Sequence, residues 1–149
     1  MTESQRRKNL ANVSAEEFIG RTQELDVLLR HAKSENSGRG FLLLSAPSSG
    51  ASELLKQTYD QLFYENGEII PIYFAVKNSD HSVAHCVLRF LHDFLTQIVA
   101  FRRQDAGMNN FVGDINELSE IALPSDGVWI DRLVETYQGE NYLNDEKTL

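Results

Sequence analysis

Eight small residues, Ser45-Ala-Pro-Ser-Ser-Gly-Ala-Ser52, stand between a short apolar run, Phe41-Leu-Leu-Leu44, and a helical pattern from Ala51 to about Glu65. This arrangement constrains the chain more than any other feature. Four apolar residues bounded by turn formers read as a buried strand, because a helix would need a longer run. Leu54, Leu55, Thr58, Tyr59, Leu62 and Phe63 share one helical face. A loop of small residues that leads into a helix offers an anion the free amides of the first turn. It also offers the positive end of the helix dipole.

The spacing matches the phosphate-loop pattern G-x-x-x-x-G-K-[ST] in part. There, glycines let amides turn around phosphate oxygens, a lysine reaches the β- and γ-phosphates, and a hydroxyl reaches magnesium. Gly50 and Ser52 fit the second glycine and the hydroxyl, Ser45 replaces the first glycine, and Ala51 replaces the lysine. A hydrogen bond to a charged group contributes roughly 1.5–3 kcal/mol. Losing one weakens binding by about 10- to 150-fold. Phosphoryl transfer suffers more, because the lysine also neutralises transition-state charge.

Elsewhere, Ser14-Ala-Glu-Glu17 has the Ser-x-x-Glu pattern of a helix start, and Thr22 to Lys33 read as an amphipathic helix. Ser34 to Gly40 read as a loop. Asn66-Gly67 is expected to end the second helix, with the glycine in the left-handed position. Ile69 to Val76 is a second strand-like run, with Pro71 near its start or at an edge. Asn78-Ser79-Asp80 is expected to cap a long helix from His81 to Arg103. Val83, Val87, Leu88, Leu91, Phe94, Leu95, Ile98 and Val99 form its wide buried face. The order helix, strand, phosphate loop, helix, strand, helix is that of an α/β fold. Beyond Arg103, Ile115–Ala122 and Val128–Tyr137 read as short helices separated by Leu123-Pro-Ser-Asp-Gly127. Four segments result: a flexible N-terminus at 1–13, an α/β part at 14–103, an acidic helical segment at 104–137 and a flexible tail at 138–149.

Phe18-Ile-Gly-Arg-Thr-Gln-Glu-Leu25 resembles the [FV]-[IV]-G-R-x-x-E-L segment that opens AAA-type and STAND-type bacterial ATPases. Leu43-Leu-Ser-Ala-Pro-Ser-Ser-Gly-Ala-Ser-Glu-Leu-Leu55 resembles their strand, phosphate loop and first helix. The resemblance covers about residues 16–103. It implies a partial P-loop NTPase fold followed by short helices, and an ATP-binding role. Ile19, Gly20 and Arg21 would lie near the base. Pro47, Ser48, Ser49, Gly50, Ala51, Ser52 and Glu53 would surround the phosphates, with Ser52 on magnesium. The family's second magnesium motif has no counterpart; Val128-Trp-Ile-Asp131 comes nearest but reads as a helix. Its later strands, arginine finger and lid would fall beyond Leu149, so the chain would hold only the N-terminal part of such a domain. Two strands left without their usual neighbours would pair directly in a parallel right-handed unit, borrow strands from a partner, or stay marginally stable and self-associate, the last being the expectation.

The charge is −8, and ten of the 22 acidic residues lie in residues 104–149 against Arg132 and Lys147 alone. No basic face of a nucleic-acid binder is evident apart from Arg6-Arg7-Lys8. Cys86 alone cannot build a disulfide framework and reads as a small core residue. His81 and His85 stand at i, i+4, but a third metal ligand is not evident. With neither a signal-peptide core nor an apolar run approaching the length of a membrane span, the expectation is a cytoplasmic protein. The function expected is weak binding of ATP and magnesium without hydrolysis. The alternative is a pseudo-ATPase module for protein interaction that binds no nucleotide.

Overall fold

The computed structural model describes residues 8–34 and 40–145, with side chains up to Tyr137. Residues 1–7 with Arg6 and Arg7, the interior of the 34–40 loop, and residues 146–149 of the expected tail lie outside the described residues. The described residues hold five α-helices and one 3-10 helix: α1 Thr22–Ala32, α2 Ala51–Glu65, α3 Val83–Arg103, the 3-10 turn Ala106–Asn110, α4 Glu117–Ile121 and α5 Pro124–Asp145. Among them there is no β-strand, which corrects the expected α/β, partial P-loop NTPase architecture. Both strand-like runs, 41–44 and 69–76, are present but have no ladder. A strand exists only when its amides and carbonyls pair with a neighbour. Local apolar pattern reports the propensity and not the neighbour.

The chain forms two compact units, residues 1–73 and 74–149. In the first, α1 packs on α2 through Leu25, Leu28 and Leu54, with Phe18, Leu29 and Leu43 around them. The Ser14–Glu17 box closes as expected, the Ser14 amide and hydroxyl donating to Glu17 Oε2 at 3.3 and 3.0 Å. It encloses only a turn. Gly20, at φ +89°, interrupts the path, and the helix begins at Thr22. Asn66 and not Gly67 takes the left-handed position after α2, at φ 50°.

In the second unit, Leu95 and Val99 of α3, Leu118 and Ala122 around α4, and Ile130 and Val134 of α5 share one buried cluster. Pro124 opens α5 at the first helical position, where its missing N–H costs nothing. The expected separator Pro124–Gly127 is therefore the first turn of a 22-residue helix. Gly127 fits because a Cβ there would stand 3.0 Å from the Ser119 carbonyl oxygen. Arg103 donates to the Ile121 carbonyl at 2.6 Å, closing the end of α4.

Ser82, and not Asn78-Ser79-Asp80, caps α3, its hydroxyl accepting the His85 amide at 3.1 Å. Asp80 instead takes Arg89 Nε at 2.9 Å, Arg89 Nη2 at 2.6 Å and the Lys77 amide at 2.8 Å. The Arg89 bonds come first in holding the Asp80 carboxyl far below the usual carboxylate range, and the Lys77 amide adds to them. Arg89 also donates to the Ala75 carbonyl at 2.7 Å and lies 4.2 Å from the centre of the Phe74 ring. One guanidinium thus fastens the run 74–80 to α3.

The apolar face expected along all of α3 is buried only in its second half. Val83, Val87 and Leu88 are exposed, because the elements that cover α3 follow it in sequence and reach its C-terminal turns. The 21 residues of α3 are also long and apolar enough, by length and composition alone, to cross a membrane. The expectation that no segment reaches that measure is corrected; Arg89 and Asp93 interrupt the run without lowering its mean hydropathy enough.

Leu118 is fully buried and Val112 is 93% exposed. Leu118→Ala should destabilise the second unit by about 2–5 kcal/mol. Val112→Ala should stay within about 0.5 kcal/mol. Urea unfolding of the two variants checks the difference.

Candidate functional site

The loop before α2 follows from its residue types. Ser48 and Gly50 adopt left-handed backbone at φ 59° and 83°, and the Ser49 amide donates to the Ala46 carbonyl at 3.2 Å. Gly50 tolerates this conformation freely; Ser48 holds it at a cost. Leu54 donates the first backbone bond of α2, to the Gly50 carbonyl at 3.0 Å. The amides of Ala51, Ser52 and Glu53 are therefore the orphan donors of the helix start.

A concavity of about 510 Å³ is lined, among the described residues, by residues 45–52. The Ser49 hydroxyl oxygen is shielded from solvent and has no hydrogen-bond partner among the described residues, so the concavity presents the backbone of Ser49 and not its hydroxyl. Left-handed residues in a tight turn bring successive amides to one side, the arrangement that accepts anions. No lysine stands in the loop, and among the described residues no cluster of His, Cys, Asp and Glu could hold a metal ion.

The expected base-contacting residues are spread out. Gly20 lines a second concavity of about 640 Å³, with Val27 and Leu28 of α1, Phe41, Leu43 and Leu54. Ile19 is 86% exposed, and Arg21 is the residue from which α1 starts. Neither lines that concavity. Residues 45–52 are brought together as one cradle. Val128–Asp131 belongs to α5, in the helical state expected for it.

Glu53 is committed elsewhere. Its carboxylate accepts the Asn12 amide at 3.0 and 3.2 Å, the Val13 amide at 3.2 Å, Asn12 Nδ2 at 2.6 Å and Gln57 Nε2 at 3.2 Å. One helical turn on, Gln57 Nε2 donates to the Val13 carbonyl at 2.7 Å. Asp60, only 4% exposed, accepts the amides of Asn9, Leu10 and Ala11 at 2.7, 2.8 and 3.2 Å. Three polar residues on one face of α2 therefore hold residues 9–13 by their backbone. The sequence reading placed these residues in a flexible terminus and did not single out Gln57 or Asp60. A Glu, Gln and Asp at helical spacing has the look of a solvated face, so only the tertiary partner distinguishes it.

No protein-family model matches this chain, and neither a curated protein nor a solved structure matches it.

Burial alone would raise the Glu53 carboxyl, but bonds from the Val13 and Asn12 amides and from the Gln57 and Asn12 side chains hold it below its ordinary value of 4.5. A carboxyl lowered in the folded state stabilises fully above its unfolded value and ceases to do so as pH falls through the folded one. Attachment of residues 12–13 should therefore persist at neutral pH and weaken only below about pH 4.5. Amide exchange at Asn12 and Val13 across that range is the check, and Glu53→Gln should flatten the dependence.

Proposed function

We propose that residues 45–53 hold the polyphosphate of a nucleotide such as ATP, weakly and without hydrolysing it. The observation that carries this reading is the cradle lined, among the described residues, by 45–52, with left-handed backbone at Ser48 and Gly50 and a 15-residue helix starting at its rim. The chain's own groups supply backbone amides, a helix dipole and the Ser52 hydroxyl. The Ser52 hydroxyl would face magnesium arriving with the nucleotide. The concavity beside Gly20 and Leu54, with apolar walls from Val27, Phe41 and Leu43, suits a nucleobase. With Ala51 in the lysine position and no acidic metal partner, nothing in the loop neutralises charge on a transferring phosphoryl group.

Titration with a fluorescent ATP analogue and magnesium tests this. Ala51→Lys should tighten binding by about 10- to 150-fold by adding one charge-assisted bond. Absence of binding by both proteins at millimolar analogue would overturn the reading. Steady phosphate release that Ser52→Ala abolishes would overturn the non-hydrolysing part.

A second reading, an interaction module, rests on a different observation. In the extended run 41–44, Leu42 and Leu44 are 80% and 83% exposed, and no backbone ladder covers them. The run carries no charge or proline, the usual devices that protect an edge. Self-association through it predicts concentration-dependent sedimentation, which Leu42→Lys should abolish. A monomer at every concentration would remove this reading.

A further inference from the structure

We infer that residues 9–13 are a strap whose attachment to α2 raises the affinity of the phosphate loop for its anion, acting through Glu53. The inference rests on the proposed phosphate-binding role of residues 45–53. Glu53 occupies the third position of α2, within the turn whose free amides face the cradle. A carboxylate that is free to move there competes with an anionic ligand for those amides and repels it. The strap prevents the first effect and lessens the second, because it holds the carboxylate in place while its charge remains. Five donor–acceptor contacts, from Asn12, Val13 and Gln57, occupy the two Glu53 oxygens and draw the carboxylate toward the N-terminal segment.

Asp60 supplies the hold at the other end. Its two oxygens collect three consecutive amides, and the side chain is nearly inaccessible to water. Gln57, 1% exposed, reinforces the Glu53 end by donating both to the Val13 carbonyl and to Glu53. Every bond from the strap to these three residues uses its backbone, apart from the one from the Asn12 side-chain amide, so the strap is held by its conformation more than by its side chains. Asp60 lies two turns from the phosphate loop and lines neither of the two concavities. It is therefore a positioning residue that reaches the ligand only through the strap and Glu53. Linkage makes the effect reciprocal: bound anion protects the strap, and a partner that pulls residues 9–13 away expels the anion.

The test uses the full chain and four proteins: wild type, Asp60→Asn, Glu53→Gln and the double variant. Amide exchange at Leu10, Asn12 and Val13 reports the strap, and titration with a fluorescent ATP analogue and with tripolyphosphate reports the cradle. Asp60→Asn should speed exchange at those amides and weaken both ligands by about two- to ten-fold, the range of one screened charge pair near a surface. Adding Glu53→Gln should restore affinity while the strap stays loose, because the repelling charge is gone. If affinity falls equally in Asp60→Asn and in the double variant, the strap acts by holding the loop's shape and the charge route is overturned. If Asp60→Asn loosens the strap and leaves affinity unchanged, the coupling is overturned while phosphate binding stands. If wild type binds neither ligand, the phosphate-binding reading fails and the coupling fails with it.

Discussion

Three consecutive amides, those of Asn9, Leu10 and Ala11, converge on the single buried carboxylate of Asp60. Backbone donors must be satisfied somewhere, and those of residues 9–13 go to side chains of α2 and not to a neighbouring strand. The arrangement ties the N-terminal segment to α2, whose Leu54 packs on α1 and whose first turn borders the loop 45–52. An unpaired carboxylate at the Asp60 site would be costly to bury. The strap and the charge are therefore conditions for one another. Arg89 solves the same problem in the second unit with the opposite sign, taking the Ala75 carbonyl and the Asp80 carboxylate together.

The run 41–44 has no such solution. Its backbone meets neither a ladder nor a charged side chain, and two of its leucines face water. This segment is left with the chemistry of a strand edge. Its position just before residues 45–52 means that anything pairing with 41–44 would also act on Ser45 and the turn that follows.

At the loop itself, conformation and charge point in different directions. Left-handed backbone at Ser48 and Gly50 and a free helix start favour an anion. The missing lysine removes the strongest attraction, and Glu53 adds a negative charge at the rim.

Much of the local structure was legible in the residues. The small-residue loop before Ala51, the amphipathic patterns of α1, α2 and α3, the Ser14–Glu17 box and the helical state of Val128–Asp131 all follow from short-range sterics and periodicity, which neighbouring residues determine by themselves. What required the tertiary structure was everything that depends on a partner distant in sequence. Whether Phe41–Leu44 and Ile69–Val76 become strands depends on backbone neighbours that no local pattern can supply. Which half of α3 is covered depends on where α4 and α5 return. Whether Glu53, Gln57 and Asp60 face water or clasp residues 9–13 depends on contacts spanning some 40 to 50 residues. The sequence determined which groups could bond, because their chemistry is fixed in each residue. The tertiary structure alone decided which of them met, because bonding at this range depends on where the whole chain brings its segments.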